Sequence, residues 1–177
     1  MGWVNDALAE LQAGRKVQVQ PFGGSMRGRI EAGQLVTLEP VAAIDVRPDD
    51  IVLVKWRSDY LLHLVKQIQG NRLLIGNNLG KINGWVSADD LRGKVVAVAD
   101  VPVQDATIVS AGPGFECTVA LADGQIVFAH MSKQTARSLC ILGPGMTVQV
   151  EGPVNGKYRI PSPNKPGYVR PSSASRP

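Results

Sequence analysis

The chain of 177 residues is 44% hydrophobic and 19% charged, with a net charge of +4. Such a composition excludes a chain disordered throughout and suits one ordinary domain or two small ones. The longest apolar runs, such as Leu73-Leu74-Ile75 and Val95-Val96-Ala97-Val98, fall far short of the roughly 20 residues that cross a bilayer, so no membrane anchor or secretory leader is expected. Cys117 and Cys140 lack the spacing of a zinc site or a disulfide framework. Buried core thiols in a reducing cytoplasm fit them best, with no metal or other cofactor expected.

From the N-terminus, Trp3, Val4, Ala7, Leu8 and Leu11 recur at helical spacing, which predicts one short helix with Asn5 as N-cap and Gly14 as its stop. Thereafter the period drops to two. Apolar stretches at residues 17–19, 35–38, 51–54, 61–68, 73–75 and 95–98, parted by Gly, Asn, Asp and Pro, predict the strands of a mostly β domain over residues 1–99. Beyond a seam at Ala99-Asp100-Val101-Pro102-Val103, a second series lies at 106–109, 115–121, 126–129 and 148–150. Gly112-Pro113-Gly114, Asp123-Gly124 and Gly143-Pro144-Gly145 interrupt it. About five short strands at this spacing suggest a small barrel or sandwich over residues 104–160.

Charge divides unevenly along this layout. Residues 152–177 hold five cations and no acid, whereas residues 1–151 carry 14 Lys and Arg against 15 Asp and Glu. Five of the twelve prolines fall within residues 161–177, a composition that buries too little apolar surface to offset ordering entropy and predicts a disordered basic tail. Such a tail either favours phosphate-rich partners, in a salt-dependent way, or simply keeps the chain soluble.

Two residues in the first domain suggest chemistry. In Phe22-Gly23-Gly24-Ser25-Met26 the glycines permit a tight turn that leaves the serine hydroxyl presented. In Tyr60-Leu61-Leu62-His63-Leu64-Val65-Lys66, strand alternation puts His63 on the apolar face with Leu61 and Val65 and turns Lys66 to the other. An imidazole in that setting has a lowered pKa and, when neutral, can take a proton from a serine; the alternative is a structural histidine hydrogen-bonded within the core.

Residues 15–98 resemble the catalytic domain shared by LexA-type repressors, UmuD-like proteins and type I signal peptidases. The resemblance rests on Gly23-Gly24-Ser25-Met26-Arg27-Gly28-Arg29-Ile30, Gly33-Gln34-Leu35-Val36, Pro48-Asp49-Asp50-Ile51-Val52-Leu53-Val54, His63-Leu64-Val65, Gly76-Asn77-Asn78 and Leu91-Arg92-Gly93-Lys94-Val95, in the family's order. It implies Ser25 as nucleophile and His63 as general base of a serine endopeptidase acting on a peptide or protein, with turn N–H groups near Ser25 holding the oxyanion. The family's proline after Ser-Met-x is Gly28 here, the acid of its first Gly-Asp strand is Gln34, and no acid stands at Gly76-Asn77-Asn78. Asp89 or Asp90 is left as the acid to orient His63.

The second domain is similar to bacterial translation initiation factor one, a small OB-fold β-barrel. Phe115 to Gln125, Phe128-Ala129-His130-Met131-Ser132, and Ile141 to Glu151 match its motifs without gaps, and Gly156-Lys157-Tyr158-Arg159-Ile160 takes the place of its last basic strand. The resemblance implies contact with RNA or the ribosome through His130, Lys133, Arg137, Lys157 and Arg159. Within residues 104–151, Asp105, Glu116, Asp123 and Glu151 outnumber Lys133 and Arg137, so the barrel alone is expected to bind RNA weakly. Trp56, Tyr60 and Trp85 could form an aromatic surface but are better explained as core. The reading is thus a peptidase coupled to an RNA-binding module, with an inactive peptide- and nucleic-acid-binding protein as the alternative. The absence of a helix-turn-helix pattern disfavours a DNA-binding repressor.

Overall fold

A computed structural model describes residues 2–112, 114–138, 143–154 and 156–161. The predicted tail beyond Pro161 and Cys140 lie outside the described residues. The chain divides into two compact units, residues 1–100 and 101–177, and is mostly β.

The first unit opens with helix α1 (Gly2–Gln12). Because the helix starts at Gly2, Asn5 lies inside it rather than at its cap. Val4, Ala7 and Leu11 recur at the spacing of one helical face and are buried. Gly93 lets that face come close to the sheet, since a Cβ there would lie 3.0 Å from a Leu11 methyl.

Strands β1 (Val17–Val19), β2 (Leu35–Glu39), β3 (Ile51–Trp56), β4 (Asp59–Gln69), β5 (Arg72–Gly76), β6 (Ile82–Ser87) and β7 (Leu91–Ala99) follow. They form one antiparallel sheet in the order β1-β2-β7-β3-β4-β5-β6. Register shifts interrupt four of these pairings, and such irregularities bend and twist strands. The curl brings β6 against the end of β3: Gly84, at φ +141°, leaves room for the Trp56 ring, which would sit 2.9 Å from a Cβ at that position.

Both faces of this sheet carry core. One cluster joins Ala7, Leu11, Val17, Val19, Met26, Ile30, Val36, Leu38, Leu53 and Leu64; the other joins Val46, Val52, Val54, Val65, Leu73, Ile75 and Val86. Neighbouring residues of β4 therefore serve different clusters, and the predicted alternation gives way to three consecutive buried residues, His63, Leu64 and Val65. Full burial of each such aliphatic side chain contributes about 1.5–3 kcal/mol.

The second unit is a closed five-stranded barrel of β8 (Val103–Ala111), β9 (Glu116–Leu121), β10 (Ile126–His130), β11 (Thr147–Val154) and β12 (Lys157–Arg159), ordered β10-β12-β11-β8-β9. Only β10 and β12 run parallel. A short helix, α2 (Lys133–Ser138), stands between β10 and β11. Its start is fixed by Ser132, whose Oγ accepts the Thr135 N–H at 3.0 Å, as an N-cap should. Ala106, Ile108, Val119, Leu121, Val148, Val150 and Ile160 fill the barrel with the Cys117 thiol, whose pKa burial pushes up.

Candidate active site

Ser25 sits in a turn that the core holds from below. Met26 and Ile30 are buried, and the Ile30 N–H returns to the Met26 carbonyl at 2.9 Å. Gly23 reverses the chain just before the serine, at φ +130°, a region that residues with a Cβ rarely enter.

A second turn braces the first. Asn78 donates its backbone N–H to the Ser25 carbonyl at 3.1 Å and its side-chain amide to the Arg27 carbonyl at 2.8 Å. Asn77 stiffens this strut, its Oδ1 accepting the N–H groups of Leu79 and Lys81. The Asn77-Asn78 pair thus acts on the serine turn rather than on the histidine. Arg29, paired with Asp49 at 2.6 Å, ties the turn to the segment preceding β3.

His63 arrives from β4, only 7% exposed. Its Nε2 lies 3.0 Å from Ser25 Oγ, and its Nδ1 lies 2.9 Å from Asn83 Oδ1 on β6. Both ring nitrogens therefore have partners within hydrogen-bonding range. Burial, as the largest influence, holds the imidazole below its ordinary pKa; the Asn83 contact acts in the opposite sense, and the charge of Lys81 lowers it further. The side chain is accordingly neutral at pH 7.

Neither Asp89 nor Asp90 takes the orienting position. Asp89 instead closes a single 3-10 turn with Ser87, accepting the serine hydroxyl at 3.1 Å. The residue beside His63, Asn83, was missed because Ile82-Asn83-Gly84-Trp85 does not alternate like a strand. A buried histidine with one nitrogen committed to serine calls for a second partner, but sequence does not say which strand supplies it.

Around the dyad lies a cavity of about 180 Å³, lined by Phe22, Met26, Ile30, Tyr60 and Leu62 among others, with Glu31 as its one carboxylate. Glu31 Oε1 accepts the Gly28 N–H at 2.8 Å. Beside this cavity β5 begins to pair with β4 only at Leu64, so, among the described residues, residues 59–63 of β4 have β3 as their one paired strand. Among the described residues the N–H groups of Ser25 and Met26 have no hydrogen-bond acceptor.

The barrel distributes its expected RNA-binding residues differently. His130 on β10 is exposed, with Nδ1 3.2 Å from Glu116 Oε1. Lys133 and Arg137 belong to α2, and Lys157 is exposed on β12. Arg159 is engaged with Glu151, whose side chain is 2% exposed, at 2.5 Å. Sequence reasoning passed over Phe128, 71% exposed on β10, together with Ile126 and Phe115. Trp56 packs against the second core cluster, and Trp85 lies under Arg72 at 5.4 Å.

No protein-family model and no curated protein matches this chain. Among the described residues no group of His, Cys, Asp and Glu could hold a metal ion, and no helix is long and apolar enough to cross a membrane.

Proposed function

We propose that the first unit is a serine peptidase of the LexA and signal-peptidase type, with Ser25 as nucleophile and His63 as general base. The observation that carries this reading is the 3.0 Å separation of Ser25 Oγ and His63 Nε2 at the wall of a cavity, with burial holding the base below its ordinary pKa.

The substrate is an extended peptide. Val65 exchanges backbone bonds with residues 49 and 50 on the β3 side, and by antiparallel alternation Leu62 directs its N–H and C=O to the open side of β4. A peptide added there as a strand runs beside the cavity and offers a carbonyl to Ser25.

Oγ attacks the carbonyl carbon as its proton passes to Nε2, and the N–H groups of the serine turn donate hydrogen bonds to the carbonyl oxygen as negative charge develops on it. The C–N bond then breaks, Nε2–H protonates the leaving amine, and an acyl group remains on Oγ. Water, deprotonated by Nε2, releases the acid and restores the serine. A fluorophosphonate is expected to label Ser25, with labelling abolished in Ser25→Ala and in His63→Ala. Equal labelling of wild type and His63→Ala would refute the dyad, leaving the peptide-binding alternative.

For the second unit we propose an OB-type module that binds RNA. Its closed 1-2-3-5-4 order, the parallel closure of β10 on β12, the helix between β10 and β11, and the exposed Phe128 near Lys157 and His130 support this. Bases stack on exposed aromatics while cations hold the phosphates. Binding of a single-stranded RNA is expected to weaken with salt and on deletion of the tail cations with residues 162–177, which keeps β12 and Ile160 in the barrel. Tight binding unchanged by that deletion would exclude these cations.

A further inference from the structure

We propose that Asn83 is a positioning residue that holds His63 as its Nδ1–H tautomer and so aims the Nε2 lone pair at Ser25, giving the dyad an uncharged third member. The inference rests on the peptidase reading for its consequence in catalysis, and on geometry alone for its effect on the imidazole.

Only one proton arrangement satisfies all three side chains. Asn83 Oδ1 is an acceptor, so a contact of 2.9 Å with Nδ1 requires the ring proton on Nδ1. Nε2 is then the bare nitrogen and accepts the Ser25 hydroxyl at 3.0 Å. With the opposite tautomer, Nε2–H would point at Oγ and no base would remain for the nucleophile. During attack the hydroxyl proton moves to Nε2, and the imidazolium keeps its Nδ1–H bond to Asn83, which gains no proton itself.

Asn83 is well placed to be rigid. It precedes Gly84, whose lack of a Cβ seats Trp56 against β6. The other charged groups around the imidazole are otherwise arranged: Glu31 receives the Gly28 N–H, Arg29 is paired with Asp49, and Lys94, on β7 beyond β3, with Asp50. Lys81 is the cation whose charge acts on the ring. Burial outweighs the upward pull of the Asn83 amide on the imidazole pKa, where a carboxylate would favour protonation more strongly, so His63 stays available as a base below neutral pH.

The test uses the full chain labelled with nitrogen-15 at its two histidines, His63→Gln serving to assign the signals. Wild type is expected to show Nδ1 protonated and Nε2 bare at pH 7, with a titration midpoint below 6.5. Asn83→Ala should mix the tautomers and slow fluorophosphonate labelling of Ser25 by about tenfold or more. Asn83→Asp should keep the tautomer and raise the midpoint by about 1 pH unit or more, as a carboxylate beside an imidazole does.

A wild-type proton on Nε2, or an Asn83→Ala variant with unchanged tautomer and unchanged labelling, would overturn the proposal. If Asn83→Ala fails to fold, the wild-type tautomer and the Asn83→Asp midpoint decide. Absence of labelling in every protein, with Nδ1 protonated as expected, would reject the peptidase reading and leave the role of Asn83 standing.

Discussion

The two units solve the problem of sheet edges in opposite ways. The barrel closes on itself through β10 and β12, leaving no strand unpaired around the ring, and the groups expected to meet a ligand sit on its outside. The seven-stranded sheet stays open, and along residues 59–63 of β4 it leaves an edge beside a cavity. Unpaired edges invite association with another strand. In the first unit that exposure coincides with an exposed serine whose hydroxyl meets a buried imidazole. The proposed chemistry thus belongs to the open sheet, and the proposed recognition of RNA to the closed one.

Changes that test this contrast are expected to differ in size. The largest effect on structure should come from Gly84→Val, which forces a Cβ into the Trp56 ring at a backbone angle that branched residues avoid. A loss of about 3 kcal/mol or more, from the clash and the backbone strain together, is expected in urea unfolding of the first unit, with loss of Ser25 labelling. A stable, fully labelled variant would show that β6 does not depend on this contact.

In the barrel, Arg159→Ala removes the guanidinium from the buried Glu151 carboxylate. Because Arg159 is itself 38% exposed and screened by water, the expected cost is about 2–3 kcal/mol, at the lower edge of buried-pair values. Such a loss, measured by thermal unfolding, would identify Arg159 as structural rather than a phosphate contact; weakened RNA binding without destabilisation would reverse that assignment.

Phe128→Ala is expected to leave stability nearly unchanged, since the ring is exposed, while costing about 1–3 kcal/mol in single-stranded RNA affinity. Unaltered affinity would remove Phe128 from the binding face.

The smallest effect concerns pH. His63 has a lowered pKa in the folded chain, so below 6.5 the unfolded chain binds more protons than the folded one. Stability must therefore rise with pH between the folded pKa and about 6.5 and level off above it. His63→Gln should flatten that rise. A slope unaltered by the substitution would place its origin elsewhere.

Much of this contrast is legible in the residues. Ser25 and His63 stand 38 positions apart, yet the glycines before one and the apolar neighbours of the other mark both. The seam near residue 100 shows as a break between two series of short strands. What escapes is the information that strand pairing creates. Asn83 reads as a loop residue because Asn and Gly disfavour strands, and it gains its role only when β6 pairs with β5 and curls toward β3. Burial of both sheet faces likewise erases the alternation of β4. Phe128 reads as core among Ile126, Val127 and Ala129, whereas the barrel turns Ala129 inward and leaves Phe128 outside.

Whether neutral His63 withdraws the proton of Ser25 is read most directly from the rate of fluorophosphonate labelling at Ser25 as a function of pH. The rate is expected to climb through the His63 titration, with a midpoint below 6.5 that coincides with the midpoint seen by nitrogen-15 NMR, and then to stay level through neutral pH. A rate that ignores the imidazole titration, or that rises steadily with hydroxide and is the same in His63→Ala, would contradict that role for His63.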